Sequence, residues 1–168
     1  LTDAHANSLV ITGDKALNVA FVTAFGATGA DATNGKGVAT IDASAATGAI
    51  SATVDGTKAT VTTGSGADEI TVDTTTAISK AIDLGAGDDT LILFADTTAI
   101  PTAAVNGGAG TDTISMTSVS ADAFDINTNF AAAISGFERL EISNTYGVDN
   151  ASLDTLTLDM EKLGFNYV

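Results

Sequence analysis

Three segments of the chain align without internal gaps: Val61-Thr-Thr-Gly-Ser-Gly-Ala-Asp-Glu-Ile70-Thr-Val72, Ile82-Asp-Leu-Gly-Ala-Gly-Asp-Asp-Thr-Leu91-Ile-Leu93 and Val105-Asn-Gly-Gly-Ala-Gly-Thr-Asp-Thr-Ile114-Ser-Met116. Each runs from an apolar anchor through Gly-x-Gly-x-Asp to an apolar-x-apolar ending. The two anchors are nine residues apart in every copy, and successive copies are offset by 21 and 23 residues. A chain that returns to one short pattern so often has no room to build a single thick core. It must wind, laying equivalent strands side by side so that each turn covers the apolar edge of the last. The alternation at Ile70/Val72, Leu91/Leu93 and Ile114/Met116 is that of half-buried strands. Two short strands and two turns need roughly 18 residues in the tightest such coil. The longer spacing leaves a few residues for a looser far turn, at Thr74–Thr76 and Ala95–Thr98. The expected fold is all-β: a right-handed parallel β-helix or β-roll solenoid forming a single domain over 1–168, with its core repeats at 38–118.

A degenerate fourth copy precedes these three. Ile41-Asp-Ala-Ser-Ala-Ala-Thr-Gly-Ala-Ile50 keeps the nine-residue anchor spacing, places Ile41 and Ile50 opposite Val61 and Ile70, and has lost the Gly-x-Gly-x-Asp turn. Leu9–Phe21 reads as strand, turn, strand. Phe137–Ser143 and Leu156–Met160 read as strands of terminal coils spanning 137–168. Phe25–Gly37, rich in Gly, Asn and Asp with no apolar period, reads as a loop. The stretch around 120–135, with Phe124, Phe130 and Ala131-Ala-Ala133, predicts a short helical insertion at 119–136, stopped by Gly136.

Charge narrows the function classes. With 21 acidic against 6 basic side chains the formal net charge is −15, so no phosphate-tracking basic stripe is available for nucleic acid. No apolar run approaches the ~18 residues of a membrane span. The chain has no cysteine, which removes thiolate–metal and thiol redox chemistry. No nucleophile is paired with a base, and the expectation is a non-enzyme. His5 reads as a surface residue, and Glu138 and Glu141 around Arg139 as a surface ion pair worth under ~1 kcal/mol. The opening Leu-Thr-Asp-Ala-His carries no signal-peptide pattern, and the chain reads as a piece of a longer protein.

So acidic a chain invites a cation, and the turns are suited to one. Glycine reaches backbone angles closed to other residues, so carbonyl oxygens can turn inward. The Asp two residues past the second Gly adds a carboxylate, and a hard cation such as calcium takes six to eight oxygens at about 2.3–2.6 Å. The candidate ligand residues are Gly64, Gly66 and Asp68; Gly85, Gly87, Asp88 and Asp89; and Gly108, Gly110 and Asp112. With the copies stacked, ions would lie in the two intervening gaps, with a half-site at each end. The plainer reading makes the glycines turn punctuation and has each Asp cap backbone N–H groups.

The motif resembles the RTX (repeats-in-toxin) calcium-binding repeat, Gly-Gly-x-Gly-x-Asp-x-apolar-x. Gly107-Gly-Ala-Gly-Thr-Asp-Thr-Ile-Ser115 matches it fully; Leu84 and Thr63 replace the first Gly in the other two copies. The resemblance implies calcium held by carbonyls around these glycines and by Asp68, Asp89 and Asp112. The longer spacing suggests one row of sites where the family's tight turn has two. The stretches Ile41–Ile50 and Ile134-Ser-Gly-Phe-Glu-Arg-Leu-Glu-Ile-Ser143 are similar to parts of bacterial surface-layer (S-layer) and large surface RTX proteins. That likeness implies a structural lattice subunit on the bacterial cell surface, exported by type I secretion, folding in extracellular calcium and self-associating, with a cell-surface polysaccharide as a further partner. Two other readings are an RTX adhesin or glycan-binding module, with Tyr146 and Tyr167 for sugar stacking, and a calcium-dependent scaffold of a secreted enzyme.

Overall fold

A computed structural model describes residues 7–20, 39–73, 76–93, 99–143, 158–160, 163 and 165. Its strands are β1 (Ser8–Gly13), β2 (Leu17–Val19), β3 (Thr40–Ala46), β4 (Ile50–Val54), β5 (Thr60–Thr62), β6 (Glu69–Val72), β7 (Ile82–Asp83), β8 (Thr90–Leu93), β9 (Val105–Asn106) and β10 (Thr113–Met116). Helices α1 (Ser118–Asp125) and α2 (Thr128–Ala133) follow, then β11 (Ile134–Ser135) and β12 (Arg139–Ile142). Odd-numbered strands form one six-stranded sheet in the order β1-β3-β5-β7-β9-β11. Even-numbered strands form a second, β12-β10-β8-β6-β4-β2. Among the described residues every strand pairing is parallel. The protein is therefore mostly β, two parallel sheets with few helices, and the chain alternates between the sheets from strand to strand.

Register stacks like on like. Leu9, Ile41, Val61, Ile82, Val105 and Ile134 follow one another across the first sheet. In the second, Val19 is reached through Ala52 from Ile70, Leu91, Ile114 and Leu140. Ile41, Val61, Ile70, Ile82, Leu91, Val105 and Ile114 are each no more than 1% exposed. The two apolar anchors of each repeat thus face a common core from opposite sheets, because side chains alternate across a strand with period two. Leu84 and Thr63, in place of the motif's first glycine, also turn inward: Leu84 is fully buried, and the Thr63 hydroxyl donates to the Leu84 carbonyl at 2.6 Å.

The expected register of the degenerate copy is corrected. Ile41 does pair with Val61, but the residue opposite Ile70 is Ala52, and Ile50 lies at the level of Asp68. The cause is local. β3 is longer than β5: Asp42 pairs with Thr62 while Ala46 lies against Gly64, so two extra residues in that strand, one of them also a slip against β1, shift everything after them.

The helices lie between β10 and β11 in the chain. Thr117 caps α1, its hydroxyl accepting from the Ser120 N–H, and Asn127 caps α2. Phe124 and Phe130 stack with ring centroids 4.2 Å apart and both are fully buried. Gly136 is not the helix stop. α2 ends at Ala133 because Ile134 turns extended to pair with Val105 as β11, and Gly136, at φ +69°, follows that strand. Ile134 and Ser135 thus belong to the first sheet and not to the insertion expected at 119–136.

Leu9–Val19 does form strand, turn, strand, with Phe21 outside the described residues. Leu158–Met160 are not in a strand, and Leu156 and Thr157 lie outside the described residues. So do His5, Phe25–Gly37, Thr74, Thr75, Ala95–Thr98, Tyr146 and Tyr167.

Replacing Leu91, wholly buried between the sheets, by Ala should cost about 2–5 kcal/mol of unfolding free energy in urea. Ile126→Ala, at a side chain 81% exposed, should stay within ~0.5 kcal/mol. Equal effects would contradict this core.

Candidate metal centre

The Gly-x-Gly-x-Asp turns link the first sheet to the second, and they stack as the strands do. Ideal Cβ atoms show how closely. One built on Gly85 would lie 2.3 Å from the Gly64 carbonyl oxygen, one on Gly108 2.1 Å from that of Gly85, one on Gly87 2.1 Å from that of Gly66, and one on Gly110 1.7 Å from that of Gly87. Two columns of carbonyl oxygens therefore press against two columns of bare α-carbons. Gly85, Gly87, Gly108 and Gly110 also take positive φ, which disfavours any side chain. Gly64 and Gly66 do not, and there glycine is required by space alone. The turns are tied directly as well: Ala86 N–H donates to the Gly64 carbonyl at 2.8 Å and Ala109 N–H to the Gly85 carbonyl at 2.9 Å. Each carbonyl keeps a second lone pair.

All ten expected site residues lie in this stack. The three motif aspartates form a column in which each carboxylate reaches back to the preceding coil. Asp68 Oδ1 accepts from the Ile50 N–H at 2.7 Å, Asp89 Oδ1 from the Asp68 N–H at 2.7 Å, and Asp112 Oδ1 from the Asp89 N–H at 2.9 Å. Asp88 does not join the column. It stands beside it, exposed, its Oδ1 accepting from the Thr111 N–H at 2.9 Å.

A fourth acid completes the column. Glu138 Oε2 accepts from the Asp112 N–H at 2.8 Å, so this residue, expected as half of a surface ion pair, is turned inward to the ladder. The turn from Ile134 to Leu140 is three residues shorter than the one beneath it, and the longer Glu side chain spans the difference. Its signal in the sequence was an acid just ahead of an apolar-x-apolar strand, with no Gly-x-Gly before it.

The N-cap-like hydrogen bonds satisfy one oxygen of each aspartate, as the turn-punctuation reading requires. They leave the other. Asp68, Asp89 and Asp112 are 2%, 1% and 0% exposed, and the Oδ2 of each is buried with no hydrogen-bond partner. An unpaired buried carboxylate oxygen costs kilocalories, and here three recur in register. Burial pushes the Asp89 carboxyl from 3.8 up to about 7, with Asp68, Asp112 and Asp88 adding repulsion against the lowering effect of the Asp68 N–H. Burial likewise raises Asp112, with Glu138 and Asp88 contributing.

A proton, a cation or a buried water can answer such oxygens. Among the described residues no three His, Cys, Asp or Glu side chains converge as a ready-made metal cluster, so a cation here would draw its remaining ligands from backbone carbonyls. Carboxylate plus carbonyl oxygen is the donor set of a hard ion with a tolerant geometry, calcium above all. No protein-family model matches the chain, and no curated protein or solved structure matches it.

The raised aspartate has a signed consequence. A carboxyl whose pKa is higher folded than unfolded holds extra protons in the folded state between the two values, so stability falls as pH rises through that window. In chelator the urea midpoint should therefore decline between about pH 4 and about pH 7. Saturating calcium, which needs deprotonated ligands, should flatten or reverse that slope. A midpoint that climbs with pH in chelator would contradict the raised Asp89 carboxyl.

Proposed function

We propose that the chain is a calcium-ordered structural domain: a right-handed parallel β-solenoid of RTX type, with the two helices inserted in one coil, from a secreted bacterial surface protein of the S-layer kind. The observation that carries the calcium reading is the row of three buried, partnerless Asp Oδ2 atoms beside stacked carbonyl columns, in a chain of net charge −15. The alternation of the chain between two parallel sheets supports the solenoid. The S-layer reading rests on the resemblance of the Ile41–Ile50 and Ile134–Ser143 stretches.

Asp68, Asp89 and Asp112, with backbone carbonyls of the stacked turns, would hold the ion, and its positive charge would offset the repulsion between their carboxylates. Because only the stacked form assembles the ligands, each ion at 100 times its dissociation constant would stabilise the fold by about 2.7 kcal/mol. Low cytoplasmic calcium keeps the acidic chain extended for export, and calcium outside the cell folds it and allows subunits to associate into a lattice. No catalytic step is part of this role.

Circular dichroism of the chain in chelator and in about 5 mM calcium, above the ~1 mM weak end of extracellular calcium modules, tests the proposal. The expected result is a large gain of β signal or of thermal midpoint with calcium, reduced in Asp89→Asn. Identical spectra and midpoints in the two buffers would reject it.

A further inference from the structure

The corrected register shows that the coil without a motif is built, around its turn, as the motif coils are. Ser65 N–H donates to the Ala46 carbonyl, as Ala86 N–H does to Gly64 and Ala109 N–H to Gly85. A Cβ on Gly64 would lie 1.8 Å from the Ala46 carbonyl oxygen, and one on Gly66 2.7 Å from that of Gly48. Ala46-Thr-Gly48-Ala-Ile50 therefore occupies the positions of Gly64-Ser-Gly66-Ala-Asp68, and Ile50 stands where the acid should be.

That loss matters little to the gap above it. In each gap of the column the carboxylate comes from the later turn, and in the gaps below Gly64, Gly85 and Gly108 a carbonyl of the earlier turn points up at that glycine. The gap between the Ala46–Ile50 turn and the Gly64–Asp68 turn has its acid, Asp68, whose Oδ1 is fixed by the Ile50 N–H and whose Oδ2 is buried and without a partner. It has carbonyls in the same places, from Ala46 and Gly48. One coil lower the pattern ends, since Leu17 pairs with Ile50 and neither is acidic.

We propose that this gap is a calcium site in its own right, with Asp68 as its carboxylate ligand and the carbonyls of Ala46 and Gly48 opposite, so that a coil lacking the Gly-x-Gly-x-Asp motif completes the first site of the row. The inference rests on the calcium reading above and adds the position of one ion to it. It also inverts the expected half-site: the motif turn at Gly64–Asp68 ends in a whole site beneath it.

The test counts calcium bound by the wild-type chain and by Asp68→Asn, using native mass spectrometry over a calcium chloride titration, and follows the Ile50 amide by NMR. Asn keeps an oxygen to accept the Ile50 N–H, so β content should persist while the negative charge goes. With both proteins folded, one equivalent fewer is expected in D68N, and the binding step that moves the Ile50 amide of the folded wild type is missing from the variant. Equal stoichiometry in the two proteins, or an Ile50 amide indifferent to calcium in wild type, would overturn this site while leaving calcium in the other gaps. A wild-type chain that binds no calcium would overturn the parent reading as well. Should D68N lose its β signal, the wild-type Ile50 response decides alone.

Discussion

The structure depends on the hydrogen bond that each acid of the column makes to the backbone of the coil before it. Parallel strands of two to four residues, such as β7 and β9, offer few hydrogen bonds of their own, and coils of mostly small side chains bury little area each. The bond from Asp89 to the Asp68 N–H, and its equivalents above and below, sets the height of one turn on the next at the point where the chain changes sheets. Once that height is set, carbonyls and α-carbons come within touching distance, and any side chain larger than hydrogen at Gly87 or Gly110 is excluded. The turn glycines are a consequence of close stacking as much as a cause of it.

This arrangement carries its own liability. The same geometry that satisfies one carboxylate oxygen brings like charges into a dry column at roughly the 4.8 Å spacing of neighbouring strands. The pKa of Asp89, driven up chiefly by burial, measures that stress. A proton would relieve it, and so would a divalent cation. A buried water would relieve it too.

Much of the architecture was legible because the repeat is a statement about distance. Anchors nine residues apart at Val61/Ile70, Ile82/Leu91 and Val105/Ile114 could be satisfied only by two strands facing a shared core, and the three motif aspartates could only be neighbours. What escaped the reading were changes of length. Two extra residues in β3 moved Ile50 from the level of Ile70 to that of Asp68, and apolar character alone does not reveal such a slip. Three residues missing from the Gly136 turn hid Glu138, since a longer side chain on a shorter loop reaches the same point. The end of α2 was misplaced because Gly136 is a fair helix terminator on composition, while Ile134 was claimed first by its neighbour Val105. Spacing motifs register what recurs; insertions and deletions that compensate one another leave the geometry intact and the motif unreadable.

The acids always belong to the later of the two coils they join, and that gives the stack a grain. A new coil laid on the carboxyl-terminal side must bring an acid with it, but the coil it lands on need offer only an N–H and open carbonyls, which any backbone has. Ala46–Ile50 is a starting course of that kind, and Glu138 a finishing one. An array organised this way can lengthen by copying a single repeat at its growing end, with no matching change in the courses already laid.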